Sequence, residues 1–268
     1  MSFTRMLPRA GALPLAFLAA ALVAAPLTAR SADLQVSPVR VLFPADQRAQ
    51  SLQIANSGSQ PLEAQVRIQR WTQQGGADQL TPAEDIVVSP AILRVAPGQS
   101  QTVRLVRVDG GPPARELSYR VLVDELPNKS AASANKGLKV LMRYSIPVFI
   151  DPAPSGPRTT AAAKPPAAIP LTNLEAVRAQ LVPGAAGGTE LRVRNDGARH
   201  LRISHLSANA KGDAARSLGD GLIGYVLPGQ QMSWPVDLRQ PTPPDLILKA
   251  RFNDDRQAQV LPLDGAGR

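Results

Sequence analysis

The chain has 268 residues, with 30 Lys and Arg against 21 Asp and Glu and a formal net charge of +9. It has no cysteine, which excludes a disulfide framework, a thiol nucleophile and thiolate metal sites. Its arginines are scattered, without a basic run or interleaved aromatics, so no nucleic-acid partner is expected.

Residues 1–32 read as a cleaved signal peptide. Arg5 and Arg9 give a positive start, and Gly11 to Ala25 is a short apolar run. Cleavage fits after Ala29 or after Ser31. Removing this segment also removes Arg5, Arg9 and Arg30 and no acid, so +9 falls by three charges. No later segment is apolar and long enough to span a bilayer, so the mature chain is expected to have no membrane span.

From Leu34 onward the pattern is strands and turns. Leu34 and Val36, then Val39, Val41 and Phe43, predict a first strand bent near Ser37-Pro38. Leu52 and Ile54 alternate in a second strand, and Ala64, Val66 and Ile68 in a third that ends at Trp71. Gln73 to Asp78 is a turn cluster. Short apolar runs follow at Ile86–Val88, Ile92–Val95, Val103–Val106 and Tyr119–Val123. A spacing of roughly ten residues with turn signals between is the signature of a β-sandwich or barrel.

After the polar stretch Asn128–Gly137 comes the most informative run, Leu138–Ile150. Leu138, Val140, Met142, Tyr144 and Ile146 fall on one face of a strand, and Lys139, Arg143 and Ser145 on the other, with Leu141 among them. Pro147 has no N–H, which points to a sheet edge or a strand end. A long apolar edge is an aggregation hazard, and a protein keeps one where another chain's strand is meant to pair.

The second half echoes the first. Asn56-Ser-Gly58 recurs as Asn195-Asp-Gly197, and Pro97-Gly98-Gln99 as Pro228-Gly229-Gln230. Both pairs read as tight turns, the Asn-x-Gly pair as hairpins that need positive φ. Two echoes in the same order predict two copies of one sandwich plan. The proline- and alanine-rich stretch 151–170 reads as a stiff linker. The expected fold is therefore all-β. A signal peptide at 1–32 precedes a sandwich at 33–150, the linker at 151–170 and a second sandwich at 171–268, the two meeting at an angle that makes a cleft.

Catalytic chemistry is poorly represented. The only histidines, His200 and His205, face opposite sides of a strand, are expected at the surface or rim, and do not converge on a metal. There is no G-x-S-x-G, and the acid pairs Glu84-Asp85, Asp124-Glu125 and Asp254-Asp255 sit beside turns with neighbouring side chains pointing apart. Trp71 and Trp234 are expected to pack in a core or at a domain edge with their indole N–H groups bonded. No enzyme activity, metal or cofactor is expected. Arg40 stands out, in the otherwise apolar Val39-Arg-Val41-Leu-Phe43. Pointed into the cleft, with Arg143 reaching the same region, it would complete a two-cation site for a carboxylate. The competing reading makes both arginines ordinary solvated residues of half-exposed strands.

Taken together, Val36-Ser-Pro-Val-Arg40-Val-Leu-Phe43, Asn56-Ser-Gly58, Leu93 to Gln99, Arg115 to Pro127 and Arg143-Tyr-Ser-Ile-Pro147-Val-Phe149 resemble the PapD-like periplasmic pilus chaperones of chaperone–usher systems. The last of these is similar to the archaic branch. The resemblance implies two immunoglobulin-like sandwiches in a boomerang and a periplasmic location in a Gram-negative bacterium. It implies pilin subunits and an outer-membrane usher as partners, and a free chain able to self-associate through its edge. It implies donor-strand complementation by Leu138, Val140, Met142 and Tyr144. It also implies anchoring of the subunit's terminal carboxylate by Arg40 and a second basic residue. The family's usual lysine slot, counted back from Pro147, is Met142 here, which leaves Arg143 as the nearest candidate and Lys139 as the next. The alternative class is a secreted two-domain adhesin or carbohydrate-binding protein, which would call for an aromatic or metal-lined loop site.

Overall fold

The computed structural model describes residues 33–108, 111–127, 140–152, 172–184, 187–209, 214–238, 243 and 245–264. The expected signal peptide, Leu138, Lys139 and most of the expected linker lie outside these residues. The described residues are strands and turns, with no helix long and apolar enough to cross a membrane.

Ten strands build the first sandwich: β1 Leu34–Ser37, β2 Val41–Phe43, β3 Ala49–Asn56, β4 Leu62–Gln74, β5 Ala77–Pro82, β6 Ile86–Ser89, β7 Ile92–Val95, β8 Ser100–Arg107, β9 Leu117–Leu126 and β10 Arg143–Ile150. One sheet runs β1-β3-β8-β6 and the other β2-β10-β9-β4-β5, with β7 also on β4. The predicted bend at Ser37-Pro38 is where the chain changes sheets. β1 pairs antiparallel with β3, whereas β2 pairs parallel with β10. Between the sheets lie Leu34, Val41, Phe43, Ile54, Val66, Val103, Tyr119, Val121, Val123 and Val148, all buried. Alternation places Arg67, Leu122 and Asp124 on the opposite face of the second sheet. The predicted turn after Gln74 is the two-residue Gly75-Gly76 link between β4 and β5, with φ of 61° and 78°. Such paired positive φ values suit glycine.

The second sandwich has β11 Val177–Pro183, β12 Thr189–Asn195, β13 Leu201–Asn209, β14 Arg216–Val226, β15 Gln231–Val236, β16 Ile247–Phe252 and β17 Gln259–Val260. Its sheets run β11-β12-β15 and β14-β13-β16-β17. They enclose Val177, Leu191, Val193, Leu201, Ile203, Val226, Leu248 and Phe252.

The repeated sequence fragments are repeated hydrogen-bond devices. Asn56 Nδ2 donates to Gln60 O at 2.7 Å and to Val95 O at 3.0 Å. Asn195 Nδ2 donates to Arg199 O at 2.8 Å and to Val226 O at 3.0 Å. Each Oδ1 accepts the N–H of the glycine two residues on, Gly58 at 2.9 Å and Gly197 at 3.0 Å. The second echo touches the first. Gly98 N donates to Asn56 O at 2.9 Å, and Gly229 N to Asn195 O at 2.7 Å. The Asn-x-Gly segments are therefore not hairpins. Asn56 closes a crossing from β3 in one sheet to β4 in the other, and the positive φ belongs to Gly98 and Gly229, at 68° and 74°. A buried carboxamide that satisfies backbone groups on both sides of a crossing is hard to replace. Asn56→Ala and Asn195→Ala are each expected to destabilise the chain by about 2–3 kcal/mol. Urea unfolding followed by circular dichroism checks this, and a loss below about 0.5 kcal/mol would mean other donors take over.

Candidate functional site

Two backbone edges lie open at one end of the first sandwich. β10 pairs with β9 along all of Arg143–Ile150, but among the described residues its other side is covered only at Val148–Ile150, by β2. Met142 O accepts from Glu125 N at 2.9 Å. By alternation Arg143, Ser145 and Pro147 then turn their backbone groups away from β9. Pro147 has no N–H to leave unpaired there. Among the described residues β1 is likewise paired on one side only, by β3. Tyr144 Oη donates to Leu34 O at 2.8 Å, which holds the two open edges beside each other.

The side chains along this run form a gradient. Ile146 is buried in the sandwich core, Tyr144 and Met142 are partly buried against it, and Val140 is 67% exposed. β10 begins at Arg143, and a strand extended back through Met142 to Val140 would carry this row past the point where the sandwich still covers it. Leu141, between Val140 and Met142, is 41% exposed.

The cations are arranged differently from the expectation. Arg40 stands one residue before β2, level with Pro147, because Val41 is opposite Val148. Its Nη2 donates to Asp254 Oδ2 of the second domain at 2.5 Å. Arg40 is therefore at the domain junction, as expected, but it is paired. Arg143 does not join it. It lies opposite Asp124 at the far end of β10, four residues from Pro147, or about 13 Å at the rise of a strand. There Arg143 Nε donates to Asp124 Oδ1, and Arg67 Nη2 donates to Asp124 Oδ2 at 2.6 Å. Burial works to raise the Asp124 pKa, but these two guanidiniums outweigh it and hold the carboxyl below its usual range.

The cation that does stand across from Pro147 is Arg120 of β9, its register partner. Arg40 just ahead of β2, Pro147 of β10 and Arg120 of β9 thus form one row, on the face turned from the core of the first sandwich. Arg120 lies over the Trp71 ring at 3.7 Å and within 5.6 Å of the Tyr225 ring. Burial lowers its pKa and the nearby Asp78 opposes that; a guanidinium stays charged in either case. The sequence did carry a signal for it. Like Arg40, it is an arginine set inside an apolar strand, here between the buried Tyr119 and Val121.

The domains meet next to this row. Trp71, Phe149, Tyr225 and Leu227 form a buried cluster, with Trp71 edge-on to Tyr225 at 5.5 Å. Gln73 clamps the joint, its Nε2 donating to Tyr225 O at 2.9 Å and its Oε1 accepting from Leu227 N at 2.8 Å. His200 is not at the surface. It stacks on Phe149 at 3.6 Å, and its Nδ1 lies 2.8 Å from Glu116 Oε2. His205 is exposed, in the left-handed region at φ 51°. Trp71 packs at the domain edge as expected, but its indole Nε1 is buried with no hydrogen-bond partner in the structure. Among the described residues no cluster of metal-binding side chains forms.

Residues 33–155 match the family model for the pili and flagellar-assembly chaperone, PapD N-terminal domain. Among curated proteins the chain is 27% identical over 123 residues to the uncharacterized fimbrial chaperone YcbF of Escherichia coli strain K12, covering 45% of this chain and 51% of that one. It is 31% identical over 161 residues to the chaperone protein FimB/FhaD of Bordetella pertussis, covering 56% and 64%. The aligned region thus spans about half to two thirds of the length of these relatives. Among solved structures, the CsuC–CsuE chaperone–tip adhesion subunit complex from archaic chaperone–usher Csu pili of Acinetobacter baumannii matches with TM-score 0.62 and 24% identity, over 87% of this chain and 98% of that one. The Salmonella enterica SafA pilin–SafB chaperone complex matches with TM-score 0.54 and 17% identity, over 84% and 91%. The fold over 84–87% of the chain is that of these solved chaperones, and residues 33–155 carry the match to the PapD N-terminal domain of the pilus-assembly chaperones.

The Arg40–Asp254 tie has a defined pH window. The hydrogen bond from Arg40 holds the Asp254 carboxyl below its ordinary value of 3.8. A depressed carboxylate contributes stability above its unfolded pKa and loses it as pH falls through the folded one. The stability difference between the wild-type chain and Asp254→Asn is therefore expected to be constant above about pH 5 and to shrink below about pH 4. Urea midpoints measured across that range check it.

Proposed function

We propose that the chain is a periplasmic chaperone that captures pilin subunits by strand donation and passes them to an outer-membrane usher. The observation that carries this is the half-paired β10 among the described residues, with Ile146 buried, Tyr144 and Met142 partly buried against the core and Val140 exposed just ahead of it. A subunit strand laid against Arg143–Pro147 would take the outward backbone groups. The row Val140, Met142 and Tyr144, continued by Leu138 outside the described residues, would fill the subunit's groove. The open edge of β1 offers a second ladder beside the first. The same edges are where free chains would pair with one another.

The carboxylate anchor is proposed as Arg40 with Arg120, rather than Arg40 with Arg143. The two flank Pro147 at the base of the domain junction, where a strand running along β10 would end. Arg143 sits far along the strand and is held by Asp124. Two guanidiniums at a partly dry junction bind a carboxylate more strongly than two solvated ones.

Coexpression with a pilin subunit, followed by purification from periplasm, tests the proposal, and a 1:1 complex is the expected product. Val140→Asp places a charge in the donated row and is expected to reduce capture at least about tenfold. Unchanged capture would remove the strand-donation reading. Arg40→Ala and Arg120→Ala are each expected to weaken capture by about ten- to a hundredfold, the size of a hydrogen bond to a charged group. Arg143→Ala should weaken it less than either. An Arg143→Ala loss exceeding that of Arg120→Ala would restore Arg143 as the second anchor.

A further inference from the structure

Arg40 already holds a carboxylate. Asp254 comes from the second domain, two residues beyond the end of β16, and its Oδ2 accepts from Arg40 Nη2 at 2.5 Å. Its Oδ1 lies 3.3 Å from Nη2 of Arg202, so one carboxylate is shared between two arginines. The turn that presents it is fixed. Asn253 is in the left-handed region at φ 47°, and its Oδ1 accepts from the Arg202 backbone N–H at 2.9 Å. Arg202 Nη2 also donates to Asn253 O. The side chain of Asp254 is still 57% exposed, and that of Arg40 only 23%, so the acid is reachable from solvent while the arginine is not free.

We propose that Asp254 is a resident competitor for the carboxylate site. In the free chain it occupies Arg40. When a subunit's terminal carboxylate arrives, Asp254 yields Arg40 and stays on Arg202. This rests on the reading of Arg40 as an anchor. Two carboxylates on one guanidinium repel each other, so the incoming group must displace Asp254 or bind beside a like charge. Arg202 makes displacement the easier course, because the released acid keeps a cation. The exchange also opens a tie between the domains, while the Gln73 clamp and the Trp71 cluster keep them joined. Subunit affinity is then the difference between two carboxylates on Arg40. That is a weaker and more reversible grip than the full strength of one, and it suits a protein that must release what it binds.

Acetate serves as the probe, followed through the Arg40 Nε–H signal in proton–nitrogen spectra of the free chain. In the wild-type chain, acetate is expected to move the Arg40 signal and the Asp254 carboxyl signal together and leave the Arg202 signal in place. Asp254→Asn is expected to bind acetate at Arg40 about three- to tenfold more tightly, the range of one exposed ion pair with its like-charge repulsion removed. An Asp254 signal that does not respond, or an Asp254→Asn affinity equal to or weaker than wild type, overturns the proposal. Pilin capture separates this from the anchor itself. If acetate displaces Asp254 but Arg40→Ala captures pilin normally, the exchange stands and the anchor reading falls.

Discussion

Everything distinctive about this chain follows from one backbone edge that it leaves half paired. A sandwich of this size could have closed β10 along its whole length by keeping the first strand in one sheet. Instead the chain changes sheets at Ser37-Pro38. β1 goes to β3, and only the three residues of β2 reach β10. Arg143 to Pro147 are left with a free side, and unpaired N–H and C=O groups on a long apolar edge seek a partner. The protein manages this by placement. Pro147 removes one donor, and Tyr144 ties the edge to Leu34 across the mouth of the sandwich. Among the described residues of the run, the exposed large apolar side chains are Val140 and Leu141, just ahead of β10. Among the described residues the edge therefore stays open from Arg143 to Pro147.

The second domain completes the site from outside. Its backbone at Tyr225 and Leu227 is gripped by Gln73, and its Asp254 reaches Arg40. A ladder alone would let a strand slide by two residues and keep the same faces. On the proposed reading a charged stop at one end of the edge would fix the register, and the row Arg40, Pro147, Arg120 lies where β2 takes over from open edge. The joint is closely packed. It is built from ring contacts, a buried clamp and the Glu116–His200 pair, all in the same small volume.

Much of this was legible in the sequence, and the losses have identifiable causes. Period-two alternation gave the strands where one face is buried, as in β3, β4 and β8. It gave nothing for β5, whose six residues are exposed on both faces and which exists because the Gly75-Gly76 turn folds it onto β4. The echoes Asn56/Asn195 and Gly98/Gly229 revealed the duplication, but their chemistry was misread. A buried carboxamide that satisfies a sheet crossing and a hairpin turn use the same residue types, and only the partners distinguish them. His200 escaped for a similar reason, since nothing local announces that Phe149 and Glu116 come to meet it.

The arginines show most clearly where one-dimensional reasoning stops. Arg143 sits in the run that carries the open edge, and Arg120 lies 23 positions earlier in the sequence. Proximity along the chain favours Arg143. Register supports Arg120 for the proposed anchor. In an antiparallel pair, the residue level with a given position is fixed by where the strands cross, and β9 crosses β10 so that Arg120 meets Pro147 while Arg143 meets Asp124. An acid opposite Arg143 gives it a structural partner, and Arg67 secures the same acid from the other side. Among the described residues Arg120 has no acid in hydrogen-bond contact. Its charge is held over an aromatic ring, which stabilises a cation without neutralising it. A guanidinium kept charged, partly dry and without a bound carboxylate is an arrangement that favours an anion arriving from elsewhere.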